Sequence, residues 1–145
     1  MNLYIDCEWN SFDKETGLAG ELISMALVSD TGEEFYEVLQ CENPEPWVAA
    51  NVMPVLNKEP ISKGLFTRRL DNFISGLGPF TLVADWPEDI SKFCNALIIG
   101  PGERLNTPPF TMQITRVDAP SQIPHNALAD AQGLAALMIN LASPQ

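Results

Sequence analysis

Apolar and polar residues alternate through NLYIDCE, with Leu3, Ile5 and Cys7 on one side and Tyr4, Asp6 and Glu8 on the other, which predicts a strand over residues 2–8. A polar, turn-rich stretch follows over residues 11–21. ELISMALVSD then reads as a largely buried second strand, and Thr31-Gly32 as a turn into a third, EEFYEVLQ. These three strands make an antiparallel meander. Between Cys41 and Pro60 the prolines at 44, 46, 54 and 60 divide the chain into short pieces, with VAANVMPVL expected as a short helix. Residues 62–77 carry Leu65, Leu70, Phe73, Ile74 and Leu77 at roughly helical spacing. PFTLVAD predicts a fourth strand, PEDISKFCNALI a helix with Pro87 in its first turn, and residues 98–109 a loop. FTMQITRV predicts a fifth strand, and residues 124–141 a closing helix entered at Pro124. The order predicts one α/β domain over residues 1–145, with a mixed five-stranded sheet flanked by helices.

Several acids break this pattern. At helical spacing Asp130 heads a face formed by Leu134, Leu137 and Leu141, and Asp89 heads one formed by Phe93, Ala96 and Leu97. Asp6 and Glu8 lie two apart on a strand, so both carboxylates emerge on one face. Asp85 closes the fourth strand; either it or Glu88 is also suited to a helix N-terminus, where the dipole favours acids. The single histidine, His125, stands five residues before Asp130.

Composition narrows what these acids can do. Hydrophobic residues make up 46% and mean hydropathy is near zero, which excludes a disordered chain. No apolar run is long enough to cross a bilayer, and MNLYIDCEWN lacks a signal peptide's basic start, so a cytoplasmic protein without membrane contact is expected. Cys7, Cys41 and Cys94 are scattered, arguing against a zinc site or disulfide framework. Eight basic residues against nineteen acidic ones give a net charge of −11, which opposes a broad nucleic-acid-wrapping face. Four of the eight, Lys58, Lys63, Arg68 and Arg69, lie within twelve positions and suit either a phosphate backbone or a solvated helix face. A carboxylate at the edge of a core needs a partner, and with few basic residues a cation is a natural one. Oxygen ligands at this density suit magnesium or manganese, and two such ions about 4 Å apart stabilise the attacking and leaving oxygens of a phosphoryl displacement. A neutral imidazole nearby can take the proton of an attacking water, and His125 is the candidate.

Together, IDCEWN, the helix-opening Asp89 followed by Phe93, and HNALAD opening the last helix resemble the DEDD superfamily of 3′–5′ exonucleases in its histidine-containing DEDDh branch. The similarity is greatest to the small bacterial exoribonuclease-like group, and it implies a ribonuclease-H-like fold. It implies that Asp6, Glu8 and Asp130 hold one divalent ion, magnesium or manganese, that Asp6 holds a second with Asp89, and that His125 is the general base. Asp89 fits the second motif better than Asp85, which stays open as a ligand or substrate contact because ADWPE replaces the usual entry to that motif. Trp9 and Phe12 follow the first motif, where the resemblance calls for a pocket for the terminal base, an assignment that Trp9 shares with simple core packing. Asn126, inside the third motif, is counted as a substrate contact. The expected activity is trimming of single-stranded 3′ ends, RNA favoured over DNA. The alternatives are a non-catalytic nucleic-acid-binding or assembly module and a nuclease for very short oligonucleotides or nucleotides; a homodimer is compatible with each.

Overall fold

A computed structural model describes residues 1–10, 15 and 20–143. Phe12 and most of the polar turn expected over residues 11–21 lie outside the described residues. The main sheet has five strands, β1 (Asn2–Trp9), β2 (Leu22–Ser29), β3 (Glu34–Val38), β4 (Phe80–Ala84) and β7 (Phe110–Ile114), in the order β3-β2-β1-β4-β7. β1, β2 and β3 pair antiparallel as the expected meander, whereas β4 is parallel to β1 and β7 parallel to β4. The α/β class and the mixed sheet are therefore as the residue pattern predicts.

Alternation along the strands sends side chains to two cores. Leu3, Ile5 and Cys7 join Met25, Leu27, Leu82 and Ala84 beneath α2 (Lys63–Ser75) and α3 (Pro87–Ala96), which contribute Phe66, Leu70, Ile74 and Phe93. Burying each such aliphatic or aromatic side chain is worth about 1.5–3 kcal/mol, enough to fix the register of β1. On the opposite face Tyr4, Ala26, Val28 and Val83 lie under α4 (Ala127–Ala142). A third cluster packs Ile23 and Val38 against α1 (Pro46–Asn51) and the 3-10 turn Met53–Val55. Pro54 lies within that turn, so the helix expected over residues 48–56 divides in two.

The structure corrects three further expectations. The supposed loop at residues 98–109 contains a small antiparallel hairpin, β5 (Ile98–Gly100) with β6 (Glu103–Arg104), turned by Gly102 at φ +70°. The closing helix starts at Ala127 rather than Pro124, because His125 takes a left-handed φ of +70° and Asn126 is the N-cap. Its buried face is Ala127, Ala131, Leu134 and Ala135, while Leu137 is half-buried and Leu141 is exposed. Small alanines let this helix lie close on the sheet. The basic cluster also divides: Lys58 and Arg69 both pair with the buried Glu37, a structural use, while Lys63 and Arg68 are exposed. Among the described residues, no helix is long and apolar enough to cross a membrane.

Candidate metal centre

The pairing of β1 with β4 ends early. β4 meets β1 only at Asn2, Leu3 and Tyr4, so the β1 backbone beyond Tyr4 has no β4 partner on that side. The chain uses this opening to assemble a site. Asp89, on the first turn of α3, reaches back so that its Oδ1 accepts a 2.9 Å hydrogen bond from the Cys7 amide. Asp85 directly follows β4, and Asp130 lies in the first turn of α4 above the face that carries Asp6 and Glu8.

Five carboxylates from three distant segments thereby converge in two triads that share one residue. Asp6, Glu8 and Asp130 each offer an oxygen within 4.8 Å of the others, and so do Asp6, Asp85 and Asp89. Asp85 and Asp89 both stand in the second triad, so the geometry brings the two candidates together rather than choosing between them. Asp85 does not cap α3, whose N-cap is Trp86 with no side-chain cap hydrogen bond, whereas Glu88 lies in the first turn of that helix, where the dipole favours an acid.

This crowding is electrostatically unfavourable while the acids are ionised. Burial first, and then Asp89, Glu8, Asp130 and Asp85 around it, push the Asp6 carboxyl well above its ordinary range. Burial, with Asp130 and Asp89, pushes Glu8 up to about 8, and burial also takes Asp89 to about 8 against the Cys7 amide, which favours its charged form. Asp85 and Asp130 are raised too, again by burial; Arg116 pulls Asp85 the other way, and Ser121 and His125 do so at Asp130. Asp6 Oδ2 is buried and has no hydrogen-bond partner among the described residues. Asp6, which belongs to both triads and carries that buried, unpartnered oxygen, fits with its neighbouring hard oxygen donors a divalent cation, whose charge would oppose these shifts.

The remaining expected residues fall into different places. His125 is exposed, near enough to Asp130 to stabilise its charge, and holds its ring edge-on against Trp47 with centroids 5.1 Å apart. A non-glycine residue at positive φ is strained, and here the strain sits beside the carboxylates. Asn126 is buried and structurally committed: its Oδ1 accepts from the Ala129 amide, while its Nδ2 donates to the Val55 carbonyl at 2.8 Å. The side chain thus fixes where α4 begins and where His125 stands. Trp9 is half-buried and packs against the core beneath α2 and α3.

Two features at the site's margin are invisible to motif spacing. Trp86 is 51% exposed and carries the Arg116 guanidinium 3.8 Å from its ring centroid. Trp47 is 57% exposed beside His125. Trp86 carried one signal, its position between Asp85 and Pro87, but the pairing with Arg116 spans thirty residues. No protein-family model matches the chain, and no curated protein matches it in sequence.

Proposed function

We propose that this protein is a metal-dependent 3′–5′ exonuclease of the DEDDh type on a ribonuclease-H-like fold, acting on single-stranded nucleic acid, with RNA favoured over DNA. The observation that carries the reading is the pair of carboxylate triads sharing Asp6. The antiparallel meander continued by parallel strands is compatible with that fold, and the 3′–5′ polarity rests on the resemblance of the three sequence motifs.

Asp6, Glu8 and Asp130 would hold one ion, and Asp6, Asp85 and Asp89 a second. Bound there, divalent ions supply charge neutralisation of the phosphate oxygens and alignment of attacking and leaving oxygens. The chain's own residues account for the rest. His125, at the solvent-exposed entrance to α4, accepts a proton from water as the water oxygen attacks the terminal phosphodiester phosphorus. The bond from phosphorus to the 3′ oxygen of the preceding nucleotide breaks, that oxygen takes up a proton, and a nucleoside 5′-monophosphate leaves. Asn126 keeps the imidazole in place through its cap and its bond to Val55.

The test is an end-labelled single strand incubated with magnesium or manganese. The wild-type chain should shorten it from the 3′ end, and Asp6→Asn or Asp130→Asn should abolish this. If neither RNA nor DNA is shortened with either ion, the enzymatic reading is wrong.

A further inference from the structure

An acidic protein that acts on a polyanion needs a way to hold it. Among the described residues, Lys58 and Arg69 are held by Glu37 and the buried Lys92 donates to the Gly20 carbonyl, while Lys63, Arg68 and Arg104 are exposed. The tryptophans offer another route. Trp86 adjoins Asp85 of the second triad, and Trp47 touches His125, which neighbours Asp130 of the first. Each triad therefore has an indole beside it that is more than half open to solvent.

Arg116 adds one well-placed cation. Its Nη1 donates to the Asp85 carbonyl at 3.1 Å and, more weakly, to the Val117 carbonyl at 3.4 Å, which holds the guanidinium over Trp86 at the edge of the site. Its ion pair is with Asp118, at 3.6 Å, whose side chain is wholly exposed. Such a pair is weak in water, so a phosphate can replace Asp118 at little cost.

Resting on the exonuclease reading, we propose that Trp86 with Arg116, and Trp47 beside His125, form a cradle for single-stranded nucleic acid, in which bases stack on the two indoles and Arg116 takes one backbone phosphate. Stacking is sequence-tolerant because every base has a π face, and it does not require a basic protein surface. A duplex, whose bases are already stacked on one another, is a poorer occupant.

The probe is a fluorescein-labelled oligouridylate hexamer, titrated with the full chain in calcium and followed by anisotropy across a salt series. Wild type should bind it more tightly than the same strand in a duplex. Its log–log salt slope should be shallower than about −2, as one or two phosphate contacts give. Trp86→Ala and Trp47→Ala should each weaken binding about ten-fold, a typical loss for one stacked base, with Trp86→Phe recovering most of it. Arg116→Gln should flatten the slope by about 0.7. Thermal melts of each variant separate lost stacking from lost folding. The cradle is overturned if wild type fails to bind, if both alanine variants bind like wild type, or if Trp86→Phe is as weak as Trp86→Ala at an unchanged melting temperature. Trimming with binding indifferent to both tryptophans removes the cradle and leaves the exonuclease. Tryptophan-dependent binding without trimming in magnesium or manganese does the reverse.

Discussion

Glu8→Gln should stabilise the metal-free protein while removing part of its response to metal. The Glu8 carboxyl rises from 4.5, its ordinary value, to about 8 in the folded chain through burial beside Asp130 and Asp89. A folded-state pKa above the unfolded one means that the native protein holds a proton which the unfolded chain releases. Stability from this group is therefore full below about pH 4.5 and is lost as pH rises toward about 8. At about 1.4 kcal/mol per pH unit, the loss between about pH 5 and about pH 8 is roughly 4 kcal/mol. In a chain of 145 residues that corresponds to a fall in Tm of about 10–20 °C. Glutamine keeps the shape and cannot ionise, so chelator-treated Glu8→Gln should melt above wild type at about pH 8 and near it at about pH 5. A milder decline should persist in the variant, because Asp89 is also raised to about 8. Added magnesium or manganese should raise the wild-type Tm more at the higher pH, and raise the variant less. Differential scanning fluorimetry across pH, with and without ion, measures all of this. Parallel pH profiles for the two proteins, or a variant less stable than wild type at about pH 8, would refute the repulsion argument.

Three further substitutions probe the site's frame. His125→Ala should lower turnover by about 10²–10⁴-fold while leaving the metal-induced rise in Tm intact, and an unchanged single-turnover rate would exclude it as the base. Asn126→Ala removes the α4 cap and the donor to Val55, and should cost about 2–3 kcal/mol in urea unfolding, where a loss below about 0.5 kcal/mol would contradict its role. Gly133→Ala tests packing against propensity: alanine in a helix ordinarily gains up to about 1 kcal/mol, but here its Cβ would meet the Pro120 carbonyl oxygen at 2.1 Å. A destabilisation of about 2 kcal/mol is expected, and a rise in Tm would show that the loop yields freely.

Much of the frame was legible in the residues because period-two and helical patterning reports directly on which side of an element is buried. The alternation of Leu3, Ile5 and Cys7 against Tyr4, Asp6 and Glu8 predicted both the strand and the shared face of its two acids. The features that escaped depend on contacts rather than period. The hairpin of Ile98–Gly100 with Glu103–Arg104 is too short to alternate. The leucine stripe after Asp130 suggested a buried face, but the sheet is met chiefly by alanines, whose small volume permits close approach and whose periodicity carries little hydropathic signal. Pro124 resembled a helix entrance, whereas the turn is made one residue later by His125 at positive φ. The stacking of Arg116 on Trp86 joins residues that no spacing rule connects.

The second motif shows why spacing could not choose between Asp85 and Asp89. Motif reasoning assigns one acid to one role, and Asp89, at the head of an apolar helix face, was the better match. In the folded chain that same carboxylate also completes the backbone hydrogen bonding of β1, because β4 stops pairing after Tyr4 and leaves the Cys7 amide exposed to α3. Asp85, at the end of β4, lies close enough for its carboxylate to join those of Asp6 and Asp89 within 4.8 Å. The early end of the β1–β4 ladder is thus what makes the site: it opens the sheet beside Asp6, draws the first turn of α3 inward to satisfy the Cys7 amide, and brings two acids where a single motif position called for one.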